Sequence, residues 1–418
     1  MTSEKLYHYE IILLSLLVLV LPSLEALKTF FWFSYLCVYL LRRFREGRLS
    51  LLPSQQINIA ITLFLLAAFS STIANWPFDN GFKGFIDELR YCTLFLCLYN
   101  GGYTAREYRR IALLIVLGVL GGLLYGLVEF LLQMRPELQF HSAGILTQSS
   151  IYLGIAIILT TGLLLDDQGE FNRYKKFLLV AWFIQVFTLI YMGSRGSMLA
   201  VAAILFIIAL IKCRIRTVLL FIGVMAVLIT VAGSLLKVYP DNPFSKEIKR
   251  QYSVERIKHA DKERLQLWNL SIAKLRTAED LVWGVGPRNY KSIQNEDFVT
   301  RSESLSTIIN FHHAHNLFLT QLIEQGFIGL LAMLYFYFLV LLKILKLWRT
   351  DTSRSPAWYW YAGLGGFSIP LIAGLFNTPF YQEHAMLAML LMGTMFAQPE
   401  NRGKAQKPLH MTEIYDNK

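Results

Sequence analysis

Three histidines lie within four residues, where a long polar segment meets an apolar one. His312, His313 and His315 belong to the sequence FHHAHNLF, which leads into a hydrophobic run. A neutral histidine is a suitable general base near pH 7, because its ordinary pKa of about 6.5 lies close to that value. We expect His315 to be the base and to titrate near that pKa, since Asn316 and Glu324 follow it on the same predicted helix. Glu324 lies about two and a half turns further along, so we do not expect it to pair with His315.

The histidine cluster allows two other interpretations. As metal ligands, the three side chains would lack a nearby cysteine and would have poor support from carboxylates, which are the usual companions of histidine in zinc sites. We therefore expect no metal site. As ordinary residues at a membrane boundary, the histidines would need no catalytic role. His312 or His313 could also hold the role that we give to His315.

Three arginines lie on one side of the membrane according to the charge distribution described below. Arg195 belongs to the turn sequence MGSRGS, Arg264 lies in a predicted helix, and Arg288 lies in the sequence GVGPRNY. A guanidinium offers a planar fork of donors that matches phosphate oxygens. Together the three arginines could hold a pyrophosphate, although each one alone could equally pair with a carboxylate or be solvated.

Other short motifs exclude the commoner kinds of nucleotide-dependent enzyme. The GVG sequence at 284–286 lacks the third glycine and the strand-turn-helix context of a dinucleotide-binding fingerprint. The DKE sequence at 261–263 resembles the paired acids of metal-dependent glycosyltransferases, but a helix N-terminus explains it better. No P-loop is present. An activated donor would therefore be something other than a nucleotide, and a lipid pyrophosphate is the natural candidate.

Long apolar runs separate these candidate residues. The chain has 418 residues, of which 55% are hydrophobic and only 17% are charged. Apolar runs of about 17–25 residues cross a hydrocarbon core, and they must be helical because a free backbone N–H or C=O finds no partner in lipid. The first run lacks a small-residue cleavage site, so we expect no cleaved signal peptide. We predict an all-α, polytopic membrane protein with about twelve transmembrane helices, at 8–22, 25–41, 57–74, 84–99, 111–132, 143–165, 177–191, 196–211, 217–236, 315–342, 357–376 and 380–397.

The distribution of lysine and arginine orients these predicted spans. With the N-terminus in the cytoplasm, the cytoplasmic segments hold twenty-two Lys and Arg residues, whereas the short connections on the other side hold four. This bias is typical of the positive-inside rule and indicates that both termini are cytoplasmic. The same rule accounts for the net charge of +11, so we expect no nucleic-acid partner.

One long segment on the far side of the membrane, 237–313, carries thirteen basic and ten acidic residues. Long segments translocate largely regardless of charge, and long connections are usually functional. Within it, Asp261 can cap a helix that runs to about Arg276, with one apolar face formed by Leu265, Trp268, Ile272 and Leu275.

The chain therefore divides into four predicted parts. An N-terminal bundle of about nine spans occupies 1–236, and a helical loop domain with the candidate active site occupies 237–313. Three further spans occupy 314–397. We expect the polar cytoplasmic tail at 398–418 to be disordered.

These features resemble the O-antigen ligase family of Gram-negative bacteria, within the wider group of ligases and polymerases that use polyprenyl-linked glycans. The span count and the large loop before the last three spans carry part of the resemblance. Short motifs carry the rest: SRG at 194–196, Arg264 with Trp268, GVG at 284–286 with Arg288, and His315-Asn316 leading to EQG at 324–326.

The resemblance implies a glycosyltransferase of the bacterial inner membrane whose site faces the periplasm. The donor would be a glycan on undecaprenyl pyrophosphate, and the acceptor would be a sugar of the lipid A-core, with membrane lipid as the surrounding partner. His315 would be the base, and Arg195, Arg264 and Arg288 would bind the pyrophosphate, with His312, His313, Asn316 and Glu324 as possible support. A single base without a covalent nucleophile indicates inversion, and we expect neither a metal nor another cofactor.

Three alternatives remain open. An O-antigen polymerase would use the same donor with a lipid-linked acceptor. A protein O-oligosaccharyltransferase would use a serine or threonine, although those relatives are commonly longer. A flippase or transporter should show charges at mid-membrane and repeated halves, whereas most charges here lie at span ends, the fourth span excepted, and we find no repeat.

The predicted orientation can be tested with Asn295→Cys in a cysteine-free background. The loop is expected outside the cytoplasm, so this cysteine should react with a membrane-impermeant thiol reagent in intact cells. A matched Lys176→Cys variant should react only after the membrane is opened. Protection of Asn295→Cys in intact cells would show that the orientation is wrong.

Overall fold

A computed structural model describes most of the predicted spans and part of the long loop. The described residues are 2–47, 55–75, 80–142, 145–166, 169–212, 262, 264, 265, 267–269, 271, 272, 275, 278–290, 313–350, 357–377 and 380–397. Within these ranges the chain forms helices and connecting turns, with no strand. The expected all-α class is therefore confirmed for the described part.

The principal elements of the described part are helices. A 3-10 turn at Asn172–Tyr174 precedes α7. In chain order the helices are α1 (Ser3–Val20), α2 (Glu25–Arg45), α3 (Gln56–Ala74), α4 (Gly81–Asn100), α5 (Ala105–Leu131), α6 (Leu146–Leu164), α7 (Lys175–Met192), α8 (Arg195–Lys212), α9 (Ala278–Trp283), α10 (Leu317–Thr350), α11 (Trp358–Ala373) and α12 (Gln382–Ala397).

The described helices support a membrane protein. Every predicted span except 217–236, which lies outside the described residues, coincides with one of them. By length and composition, 5 helical segments among the described residues could cross a membrane: Gln56–Ala74, Ala105–Leu131, Leu146–Leu164, Asn172–Met192 and Leu317–Arg349. Among the other helices, α11 and α12 have only 16 residues each, and α4 carries several charges. The count of twelve spans stays a prediction.

The centre of the bundle is formed by α6, α11 and α12. These helices are buried along almost their whole described length, as expected for helices that are apolar on every side. α11 packs against α6 and α12, and α12 packs against α4. The outer helices expose large apolar side chains, such as Phe30, Phe33 and Phe187, on the surface that lipid would cover.

Buried ion pairs join helices that are distant in sequence. Arg42 of α2 donates from Nε to Oε2 of Glu10 at 2.7 Å. Lys28, near the other end of α2, pairs with Glu383 in the first turn of α12, and the Ser142 hydroxyl donates to Glu383 at 3.0 Å. Ionisable groups inside membrane proteins are generally paired in this way. The Lys28 pair fixes the start of α12.

A break in α10 at Gly326 anchors part of the long loop. Gly326 has φ 65° and ψ −168°, a conformation essentially restricted to glycine. The carbonyls of Ile323 and Glu324 accept the N–H groups of Val285 and Gly286, each at 2.8 Å. The segment after α9 is thereby bound to the main chain of α10.

The loop helix buries only part of the predicted face: Leu275 packs against the buried cluster beside the helix, whereas two other residues of that face are exposed. The described residues between 262 and 272 are helical, but Leu265 and Ile272 are 59% and 60% exposed. Ser271 is buried instead, because its hydroxyl is satisfied by the Leu267 carbonyl at 2.7 Å and by a tyrosine. The predicted cap, Asp261, lies outside the described residues. The apolar cluster beside this helix consists of Leu267, Tyr290, Ala314 and Ile323.

Gly326→Ala should destabilise the protein. A Cβ atom would meet the Val282 carbonyl, and the backbone conformation alone would cost about 1–3 kcal/mol in a non-glycine residue. Gly121→Ala in α5 is the matched control, because its Cβ would find nothing within 4 Å. Thermal unfolding in detergent should show a lower midpoint for Gly326→Ala only. Equal midpoints for both variants would contradict the break.

Candidate active site

His315 lies just before α10, in a left-handed backbone conformation with φ 50°. Its backbone N–H donates to Nδ1 of His313 at 3.3 Å, and its side chain hydrogen-bonds to Asn377. Asn316 caps α10, because its Oδ1 accepts the N–H of Leu319 at 3.0 Å. The helix cap and the contact with His313 hold His315 in a conformation that non-glycine residues seldom adopt.

Both described histidines of the cluster are neutral at pH 7. Burial lowers the pKa of His315 to about 4, and the positive charge of nearby Arg264 acts in the same direction. Burial lowers the pKa of His313 to about 3, with a further contribution from His315. Burial and Arg264 thus place the pKa of His315 below the ordinary value of about 6.5 expected from the sequence. The ring can accept a proton, but it is a weaker base than a solvated histidine.

Arg264 approaches His315 because the loop helix docks on the start of α10. The indole N–H of Trp268 donates to the carbonyl of Ala314 at 2.9 Å, one residue before His315. Trp268 and Arg264 lie one turn apart on the loop helix. This hydrogen bond accounts for the pairing of Arg264 with Trp268 in the sequence motif.

Arg288 lies in the turn that follows α9 and has φ 60°. Its Nη1 is 3.0 Å from Oδ2 of Asp87 in α4, and 33% of its side chain remains exposed. The preceding Pro287 packs against Gly84 of α4, where a Cβ atom would lie 2.6 Å from the proline Cβ. This close approach requires glycine, and it presents the Arg288 guanidinium at the edge of the helix bundle.

Glu324 supports the turn that carries Arg288. Its side chain is in α10, two residues before the break, and Glu324 is only 5% exposed. The Tyr381 hydroxyl donates to Oε1 of Glu324 at 2.6 Å. The backbone N–H groups of Arg288 and Tyr290 are directed at the same carboxylate. Glu324 thus binds the main chain of the turn rather than acting beside His315.

Tyr381 joins the two halves of the site. Its ring stacks on the imidazole of His313 with centroids 6.2 Å apart, and His313 meets His315 edge to face at 4.3 Å. A continuous path of contacts therefore runs from Arg288 through Glu324, Tyr381 and His313 to His315. These contacts link the position of Arg288 to that of His315.

A second carboxylate lies below this path. Glu88 of α4 is 6% exposed and accepts a hydrogen bond from Nε2 of Gln325. It borders a cavity of about 20 Å³ next to Glu324 and Tyr381, which has room for about one water molecule. α4 thus contacts two segments through adjacent acids. Asp87 pairs with Arg288 in the turn, and Glu88 accepts a hydrogen bond from Gln325 in α10.

Arg195 begins α8 and is exposed. The next residue, Gly196, faces the end of α11, where a Cβ atom would lie 3.8 Å from the Ala373 carbonyl. One residue further along, the Gly374 carbonyl accepts the N–H of Leu317 at 2.7 Å. Arg195 therefore begins a helix that packs beside the segment to which the start of α10 is anchored.

The structure adds polar residues that the sequence interpretation did not include. Asp87 and Glu88 gave a signal, because acidic residues within an apolar run are usually paired or functional. Tyr381 and Asn377 gave none. His312 lies outside the described residues. Within the described part, no group of three His, Cys, Asp or Glu side chains is arranged to hold a metal.

Comparison with protein-family models matches residues 179–334 to a family described as O-Antigen ligase. The match extends from α7 into α10, so it includes the turn and helix that hold the candidate site. A search of curated proteins gave no match. The family resemblance is therefore confirmed, and it indicates a ligase- or polymerase-type transfer of glycosyl groups.

Tyr381→Phe should lower stability, because it removes a buried donor from Glu324 and leaves the carboxylate short of a partner, at about 1–3 kcal/mol. Tyr337→Phe is the control, because the Tyr337 hydroxyl is buried and has no hydrogen-bond partner among the described residues. Thermal unfolding of the two variants should show a lower midpoint for Tyr381→Phe alone. Identical changes in the unfolding midpoint would show that the Tyr381 hydroxyl has no structural role.

Proposed function

We propose that the chain is an inverting, metal-independent O-antigen ligase. It transfers a glycan from undecaprenyl pyrophosphate to a sugar hydroxyl of the lipid A-core. The observation that supports this proposal best is the joining of Arg288 to His315 through buried contacts, with Arg264 beside the histidine. An anion-binding group and a neutral base are the two parts that such a displacement needs.

The arginines bind the pyrophosphate of the donor. The ion pair with Asp87 engages Nη1 of Arg288, and the other N–H groups of that guanidinium can meet phosphate oxygens. Arg264 and Arg195 supply further positive charge. As the bond to the anomeric carbon breaks, negative charge grows on the leaving pyrophosphate, and fixed guanidinium groups stabilise it. The leaving group then needs no proton from an acid.

His315 takes the proton from the acceptor hydroxyl as that oxygen attacks the anomeric carbon. Its pKa of about 4 in the protein without substrate is set by burial and by Arg264. A bound pyrophosphate brings negative charge that offsets Arg264, and a nearby negative charge favours the protonated imidazole. Donor binding therefore raises the pKa of His315 in the reacting complex. Without the donor, His315 stays a weak base.

His313 positions His315 and does not replace it. His313 is 7% exposed, lies between the rings of Tyr381 and His315, and accepts the backbone N–H of His315. A ring enclosed in this way cannot reach an acceptor sugar. The half-buried His315 is therefore the better base of the two.

The surroundings of the reaction follow from the charge distribution. We place the protein in the bacterial inner membrane with several spans, both termini in the cytoplasm and the site towards the periplasm. Both substrates are lipid-anchored, so they can meet at the membrane surface.

The acceptor distinguishes this proposal from its relatives. Purified protein should transfer glycan from the polyprenyl pyrophosphate donor to lipid A-core, with full activity in a chelator. Transfer only to a second lipid-linked glycan would make the protein a polymerase, and transfer only to a peptide would make it a protein O-oligosaccharyltransferase. Loss of activity in the chelator with rescue by a divalent ion would overturn metal independence.

His315→Ala should lower turnover by about 10²–10⁴-fold, the usual contribution of a general base. His141→Ala is the control, because this histidine pairs with Glu129 between α5 and α6. The base works only when unprotonated, so kcat/KM should rise with pH through about 4, and kcat should rise through a higher pKa. Both increases with pH should be absent in His315→Ala. Near wild-type turnover in that variant would show that His315 is not the base.

Arg288→Lys should weaken donor binding by about tenfold, because lysine keeps the charge but loses the planar fork of donors. Arg135→Lys is the control, since Arg135 pairs with Glu129 in the connection after α5. The KM for the donor measures the effect. Wild-type donor KM in Arg288→Lys, and also in Arg195→Ala and Arg264→Ala, would remove the arginine site.

A further inference from the structure

A basic cavity lies at the opposite end of the bundle from the candidate active site. It has a volume of about 870 Å³ and opens between the first turns of α5 and the segment that leads into α7. The positive-inside distribution indicates that this end faces the cytoplasm. The cavity shares no lining residue with the proposed site and is within the size range of small-molecule pockets.

Four arginines line the cavity: Arg106, Arg109, Arg110 and Arg173. Arg109 is the one that the structure pairs with an acid, with its Nη1 2.9 Å from Oε1 of Glu170. Arg106, Arg110 and Arg173 are exposed at the rim. The positive-inside rule explains why arginines lie at this end of the protein. It does not explain why they surround a cavity.

The inner wall of the cavity is apolar. Leu113, Leu114 and Leu117 continue along the same face of α5 below the arginines, and Phe171 and Phe177 face them. Leu117 is 45% exposed, so the apolar wall is open towards the lipid. A phosphate would match the arginines, and a hydrocarbon chain would match the apolar wall next to them.

We propose that this cavity binds the headgroup of an anionic glycerophospholipid such as phosphatidylglycerol. The phosphate lies among Arg106, Arg110 and Arg173, and the first part of an acyl chain lies along Leu113 and Leu117. Basic pockets between membrane helices on the cytoplasmic side are suited to anionic lipid headgroups. The bound lipid fixes α5 to the start of α7.

The test measures lipid retention by the purified full-length protein. The protein is exchanged from detergent into nanodiscs of phosphatidylethanolamine with or without phosphatidylglycerol, and retained lipid is counted by native mass spectrometry after extraction. The triple variant Arg106→Ala, Arg110→Ala, Arg173→Ala should lose affinity for phosphatidylglycerol by on the order of 100-fold, given the usual contribution of each basic residue at an anionic surface. Lys175→Ala with Lys176→Ala is the matched control, because these neighbouring exposed lysines do not line the cavity.

A further variant tests the apolar wall of the site. Leu117→Trp should fill this wall and reduce retention of phosphatidylglycerol without changing the charge.

Three outcomes would overturn the proposal. Equal losses in the arginine and lysine variants would mean that surface charge alone attracts the lipid. Unchanged retention in Leu117→Trp, with displacement of the lipid by inorganic pyrophosphate, would mean that the cavity takes a soluble phosphate. Equal retention of phosphatidylethanolamine and phosphatidylglycerol would mean that the arginines do not select an anionic lipid.

Discussion

The candidate site depends on the break in α10 at Gly326. A helix that stops hydrogen-bonding inside a membrane protein leaves carbonyl groups that must be satisfied by protein, because lipid cannot do so. Here the carbonyls of Ile323 and Glu324 accept the amides of Val285 and Gly286. The turn that carries Arg288 is therefore held by main-chain bonds whose loss would expose polar backbone. Arg288 therefore has a fixed position although it lies in a loop.

Charged residues that would be costly within the bundle fix the remaining parts of the site. Asp87 and Glu88 are adjacent on α4. Asp87 pairs with Arg288 of the turn, and Glu88 accepts a hydrogen bond from Gln325 directly before the break. The pair of Lys28 with Glu383 fixes the start of α12, directly after the tyrosine that contacts both Glu324 and His313. The two ion pairs, Asp87 with Arg288 and Lys28 with Glu383, each hold a segment that contacts the candidate site.

The sequence predicts the helices well because apolar runs bounded by charges define them, and the described helices begin and end near the predicted positions. The roles that the sequence suggests for the arginines and His315 stay predictions. It misses contacts between distant segments, such as Gln325 with Glu88, since no local pattern records them. Helical periodicity predicted that Leu265 would be buried, and it is exposed. A serine is buried instead, and a pattern of apolar residues cannot predict this because the serine is polar and is satisfied by two hydrogen-bond partners. The low pKa of His315 likewise depends on burial and on Arg264, which only the fold supplies.

Amide hydrogen exchange of Val285 and Gly286 in the purified full-length protein tests the docking of the Arg288 turn most directly. Amides bound to buried carbonyls exchange only when the structure opens. The account predicts that both amides exchange far more slowly than an unprotected chain and that Gly326→Ala abolishes this protection. Exchange of Val285 and Gly286 at the rate of a solvated loop in the unmodified protein would contradict it, because Arg288 would then have no fixed position relative to His315.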